Sequence, residues 1–199
     1  MNAGGGRTVH AVEWRIGGVV VVYQPDLPRL HRLVQRLAEL VDEVVLINNG
    51  ATALGSSVSW SSKVCIVHPG CNIGVAAALN LGVEHLEQRN CSHAWSFDQD
   101  SLPALDALDR LCSAWQAAPH ASSLVALAPQ IQNHTTAQPL PFLIIDENGR
   151  VGTKCLHVPT EVGAAITSGL LFRIDAWRSL GGALEPLFID HVDTEWCWR

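Results

Sequence analysis

Asp98 and Asp100 close an apolar run, and far along the chain Asp193 and Glu195 stand beside Asp190. Two carboxylates one residue apart turn toward a single volume when the intervening residue lies in a bend, and oxygen ligands so placed suit a hard divalent cation such as Mg2+ or Mn2+. A cation held there screens a diphosphate leaving group. Crowded acids raise one another's pKa, which suits a general base that must accept a proton. Together the clusters predict a metal-bound diphosphate facing a carboxylate base. Each also has a plainer reading. Asp100 or Ser101 could cap a helix with Pro103 in its first turn. The later acids could begin a helix, where they complement the macrodipole; if extended, Asp193 and Glu195 share one face. Phe188, Ile189, Trp196 and Trp198 surround those acids with apolar bulk, and partly buried acids usually have a partner or a task.

Asparagines form a second set. Asn48 and Asn49 end an apolar run, where their amides could bond a nucleobase or simply make a turn. Asn72 and Gly74 open an alanine-rich segment with Asn80 two turns on. They could meet a ribose or phosphate, or serve as an ordinary helix start. Tyr23 and Trp95 read as core residues, with base stacking as the alternative for Tyr23.

These groups need a frame. Residues 16–23 form an apolar, β-branched run typical of a strand buried on both faces. Asp26 then caps a helix carrying apolar residues at 27, 30, 33, 34, 37, 40 and 41, with Pro28 in its first turn. Residues 44–47 make the next strand, so the chain opens with a right-handed βαβ unit and a parallel sheet. A polar loop follows. Further expectations are strands at 63–68, 94–98, 125–131, 143–146 and 167–173, and helices at 75–88, 102–118 and 175–180, the last ended by Gly181 and Gly182. Asp98 thus lies beyond the carboxyl end of a strand, where such sheets present their ligands.

With 199 residues, 48% of them hydrophobic, the chain fits one domain over 16–199 behind a disordered glycine-rich head at 1–15. A net charge of -6 with only two lysines argues against nucleic-acid binding. Arg29, Arg32 and Arg36 fall on one helix face, where a solvated flank is the default. The six cysteines have no C-x-x-C spacing, which favours reduced thiols in a cytoplasmic protein. The start reads as no signal peptide and no apolar run reaches the length of a membrane span, leaving a soluble protein with room for peripheral membrane contact.

Several segments, in order, resemble the inverting, nucleotide-sugar-dependent glycosyltransferases of family 2, and among them bacterial rhamnosyltransferases. Tyr23, Gln24, Pro25 and Asp26 are similar to their V-x-Y-N-P-D opening. The segment 44–50 resembles V-I-V-D-N-G, with Asn48 where aspartate is usual. Residues 72–82 resemble N-x-G-x-A-x-A-x-N-x-G, and 97–101 the D-x-D motif. Ser168 and Gly169, and then 187–196, resemble acceptor-side segments.

The resemblance implies a GT-A, Rossmann-like α/β fold: a mixed, mostly parallel sheet flanked by helices. It implies a donor site of Tyr23, Gln24, Pro25, Asn48, Asn49, Asn72, Gly74, Asn80 and Asp98, and a divalent cation on Asp98 and Asp100. Asp193 would be the base, Glu195 an orienting acid, and Ser168, Gly169 and Trp196 the acceptor side. The expected reaction moves rhamnose from a dTDP-linked donor to a glycan or lipid-linked glycan at the inner face of the cell membrane. Family members continue beyond the acidic motif that precedes Arg199, so the chain is expected to lack their usual C-terminal extension. The alternative is therefore a truncated, non-catalytic sugar-nucleotide binder or a partner-dependent fragment. An aspartyl-phosphate phosphatase lacks its G-D-x-x-x-D element here, and a pyrophosphorylase lacks its glycine-rich, lysine-bearing loop. Donor sugar, acceptor and oligomeric state are not written in the sequence.

Overall fold

The computed structural model describes residues 14–51, 54 and 59–199. The glycine-rich head expected over 1–15 lies, apart from Trp14 and Arg15, outside the described residues, as does part of the polar loop after Gly50. Among the described residues, eight strands and five α-helices follow in chain order: β1 Ile16–Val22, α1 Leu27–Leu40, β2 Glu43–Asn48, β3 Val64–Val67, α2 Gly74–Glu87, β4 His93–Asp98, α3 Ala107–Ala117, β5 Ala126–Leu127, β6 Phe142–Ile145, β7 Val151–Lys154, β8 Leu171–Arg173, α4 Ile174–Ser179 and α5 Val192–Trp198.

The main sheet runs β3-β2-β1-β4-β8-β5. Its first four strands are parallel, and β8 is antiparallel to both β4 and β5. Strand order reverses at β1, which lies between β2 and β4, so the crevice beyond the carboxyl ends of β1 and β4 is the switch point where α/β sheets bind ligands. The register pairs Val21 with Asp98. This mixed sheet is the expected fold class.

Both faces are covered, and for that reason β1 is apolar at successive positions: Val19, Val20 and Val22 are fully buried. On one face α1 and α3 pack around Leu30, Leu33, Leu37, Trp95 and Trp115. On the other, α2, α4 and α5 enclose Leu79, Leu86, Phe172, Trp177 and Trp196. Asp26 caps α1 as expected, accepting a hydrogen bond from the Arg29 N–H at 3.0 Å.

Several elements differ from expectation, among them β8, which covers only Leu171–Arg173 of the expected 167–173. Helix α3 begins at Ala107 rather than near Leu102, because a residue preceding proline is pushed out of the helical region and Leu102 precedes Pro103. Neither Asp100 nor Ser101 caps it. Strand β5 shrinks to two residues, whereas β7, all four of whose residues are exposed, has no apolar signature and pairs with β6 in a separate hairpin. Asp193 and Glu195, though not Asp190, lie in the first turn of helix α5, so the plainer helical reading holds for those two acids.

His93 lies buried at the start of β4, stacked on Trp14 at 4.3 Å and edge-on to Trp115 at 5.3 Å. Burial foremost, then the nearby Arg173 charge, lower its pKa from 6.5 to about 4. The unfolded chain therefore takes up a proton near pH 6.5 that the folded chain refuses until about pH 4. Stability falls as pH drops through that window and levels off below it. Urea denaturation at several pH values should show this slope, and His93→Phe should flatten it.

Candidate active site

The carboxyl end of β4 is fastened to the segment preceding β8. The Ser96 hydroxyl donates to the Thr167 carbonyl at 2.6 Å, and the Gly169 N–H donates to the Ser96 carbonyl at 2.7 Å. The Asp98 N–H donates to Ser168 Oγ at 3.3 Å, and Ser168 Oγ donates to Ser101 Oγ at 2.5 Å. Ser168 and Gly169 thus act as a brace beneath the D-Q-D turn. The same segment reaches Asp193: the Thr167 N–H donates to Asp193 Oδ2 at 3.2 Å, and the Thr194 N–H to Oδ1 at 2.7 Å.

Asp98 shows how closely the acids gather. Its carboxyl touches solvent, yet enclosure by surrounding protein, then the charges of Asp100 and Asp193, raise its pKa above the usual carboxylate value, against a lowering bond from Ser168. The structure therefore brings the central pair and the late acid into one neighbourhood at the switch point. With helix α3 starting only at Ala107, Asp100 has no capping duty.

Next to the pair, β1 leads into Tyr23, which is 47% exposed and so is not the core residue its type suggested. Gln24 follows in the left-handed region at φ 46° and turns the chain through Pro25 into α1. Asn48, 1% exposed, accepts the Gly50 N–H on Oδ1 at 3.0 Å, a local turn, while its Nδ2 lies 3.2 Å from Nδ1 of His68. Asn49, 3% exposed, donates from Nδ2 to the Gly74 carbonyl at 3.0 Å, and its buried Oδ1 has no hydrogen-bond partner among the described residues.

At the start of α2, Asn72 Oδ1 accepts the Gly74 N–H at 3.0 Å. The helix's first free N–H groups, those of Val75 and Ala76, donate to the Phe188 carbonyl at 2.6 and 3.2 Å. A carbonyl from the acidic segment thus caps α2. Gly74 makes this approach feasible: its φ is +81°, and a Cβ would stand 2.6 Å from the Phe188 ring and 2.7 Å from its carbonyl oxygen. Gly74→Ala should therefore destabilise the fold by roughly 2 kcal/mol, lowering Tm by about 5 °C. Calorimetry checks this; an unchanged Tm would mean the contact yields freely.

Asn80 is placed elsewhere than expected. Its amide nitrogen donates to the Ala183 carbonyl and Glu185 Oε1 at 2.9 and 3.1 Å, and its oxygen accepts from the Ala183 N–H and Trp177 Nε1 at 2.8 and 3.2 Å. All four bonding positions are used to pin the loop before the acidic segment, leaving none for a donor molecule.

The expected orienting acid Glu195 and the expected acceptor-side Trp196 both have other partners. In α5, residues two apart do not share a face, and Glu195 turns from Asp193 to pair with Arg199, Oε1 to Nε at 2.6 Å. Trp196 is 3% exposed and packs against Trp177 and Phe172, so it belongs to the core. The motifs assign no role to His68, Gln99, Thr167 or the Phe188 carbonyl, and offer Ser101 only as a helix cap. Their contributions are pairings distant in sequence, which no local spacing announces.

Among the described residues no group of three or more His, Cys, Asp or Glu is arranged to hold a metal ion by itself. The donor set fits a cation shared with a substrate, because Mg2+ is ordinarily bound by one or two carboxylates together with substrate phosphates and water. The raised pKa of Asp98 agrees: clustered acids without a counter-charge are what an arriving cation relieves.

The six-stranded mixed sheet with its carboxylates at the switch point has the GT-A glycosyltransferase fold. The structure superimposes on that of GalNAc-T7 with UDP, GalNAc and Mn2+ (TM-score 0.67, 14% identity, 92% of this chain and 40% of that one). It also superimposes on TarS of S. aureus (TM-score 0.67, 13% identity, 92% and 33% coverage). In sequence the chain is similar to the dTDP-rhamnosyl transferase RfbF of Shigella flexneri, 29% identical over 190 residues that make up 92% of this chain. It spans 62% of the length of that curated relative. No protein-family model matches the chain.

Proposed function

We propose that this chain is the donor-binding and catalytic part of a cation-dependent, inverting rhamnosyltransferase, taking rhamnose from a dTDP-linked donor to a hydroxyl of a cell-surface polysaccharide precursor. The observation that carries the reading is the convergence of Asp98, Asp100 and Asp193 beyond the ends of β1 and β4. The similarity to a dTDP-rhamnosyl transferase supports the sugar and the base.

The donor nucleotide would lie along the strand ends, with Tyr23, Asn48 and His68 on the base side and Asp98 toward ribose and diphosphate. A divalent cation on Asp98, Asp100 and the phosphate oxygens would screen the charge of the leaving diphosphate. Asp193, fixed by the Thr167 and Thr194 amides, takes the acceptor hydroxyl's proton. The new C–O bond forms at the anomeric carbon as the bond to the diphosphate breaks, inverting that centre. Ser168, bonded to Asp98 and Ser101, and its neighbour Thr167, bonded to Asp193, keep the two sides in register.

Among the described residues no helix is long and apolar enough to cross a membrane. Exposed Ile166, Phe188, Ile189 and Trp198 near the acids support a lipid-linked acceptor and peripheral contact at the cytoplasmic membrane face.

The test is incubation with dTDP-rhamnose and Mn2+ beside UDP- and GDP-sugars, following nucleotide release with and without lipid-linked glycan. The reading expects dTDP release that depends on cation and rises with acceptor. Binding without release would favour a non-catalytic sugar-nucleotide binder, and release from another donor alone would reassign the sugar.

A further inference from the structure

The hydrogen-bonded ladder between β1 and β4 ends with Val21 opposite Asp98. One step further, a side chain takes over the backbone's task. Gln99 Oε1 accepts the Tyr23 N–H at 2.8 Å, and Gln99 Nε2 donates to the Tyr23 carbonyl at 3.0 Å. The primary amide thus satisfies both polar groups of one residue, as a neighbouring strand would. Without it, Tyr23 would leave the sheet with an untethered backbone, directly before Gln24 at φ 46°.

We infer that Gln99 is a positioning residue that locks the two carboxylates to the end of β1. The inference rests on the donor site proposed above and deepens it. Asp98 and Asp100 flank Gln99 in sequence, so any slack in this turn moves both. Tyr23 stands where the base side of the donor site begins. The Gln99 amide therefore sets the span between the nucleoside-binding end and the cation-binding pair, without itself touching the ligand. Its length is essential: asparagine would fall short of Tyr23, and glutamate would set a carboxylate against the Tyr23 carbonyl while adding charge between two acids.

Gln99→Met keeps the side chain's length and removes both hydrogen bonds. With both bonds gone the turn no longer holds the two carboxylates in one arrangement, so the variant should bind dTDP with Mn2+ about tenfold more weakly by titration calorimetry. Its Tm should stay within about 3 °C of the parent, since the bonds lie at an exposed strand end. Hydrogen exchange at the Tyr23 amide provides a readout that needs no ligand: it should quicken about tenfold or more in the variant. Unchanged Tyr23 exchange would overturn the clamp. Faster exchange with nucleotide affinity within twofold of the parent would overturn its positioning role, as would weaker binding matched by a large fall in Tm. If the parent protein binds no nucleotide with Mn2+, the proposed function fails instead, and Tyr23 exchange still decides the clamp.

Discussion

Asp193→Asn is expected to reduce sugar transfer by about a hundred- to ten-thousandfold, the usual contribution of a positioned general base, while leaving nucleotide affinity within about twofold. The substitution is nearly isosteric, and its amide oxygen can still accept from the Thr167 or Thr194 N–H, so the start of α5 keeps its place. What disappears is the capacity to accept a proton. Steady-state transfer assays beside calorimetric titration with dTDP and Mn2+ separate the two quantities. A variant with parental turnover would remove Asp193 from the chemistry.

Asp100→Ala should act on the opposite side of the cleft. Removing one of two carboxylates from a site that shares its cation with substrate should weaken Mn2+-dependent nucleotide binding by at least about a hundredfold and suppress transfer with it. Asp106→Ala is the matched control: this acid follows in the same stretch but sits exposed at the start of α3, 3.9 Å from Arg110, and should change neither quantity. Equal behaviour of the two variants would place Asp100 outside the cation site.

Much of this frame was legible in the residues. The valines of β1 announced a strand covered on both faces, Asp26 announced the start of α1, and the run before Asp98 announced a strand that ends there. Those signals are local, arising from side-chain burial, capping and period. The apolar pattern of α3 extends back past its true start, where Pro103 keeps Leu102 out of the helix. Strand β7 leaves no signal because its Val-Gly-Thr-Lys sequence is wholly exposed and carries no alternation. Asn80 resembled a donor ligand by spacing, yet its four bonding positions are spent on Trp177, Ala183 and Glu185. The Phe188 carbonyl that caps α2 is a backbone group whose identity no side chain reveals.

The central claim is that Asp98 and Asp100 hold one side of a single cleft and Asp193 the other. A crystal structure with dTDP and Mn2+ tests it most directly. The account predicts an ion about 2.0–2.3 Å from an Asp100 oxygen and bridging to the diphosphate, with the Asp193 carboxylate facing the phosphate end of the nucleotide across open space. Nucleotide bound away from the ends of β1 and β4, or an ion held without either central carboxylate, would contradict it.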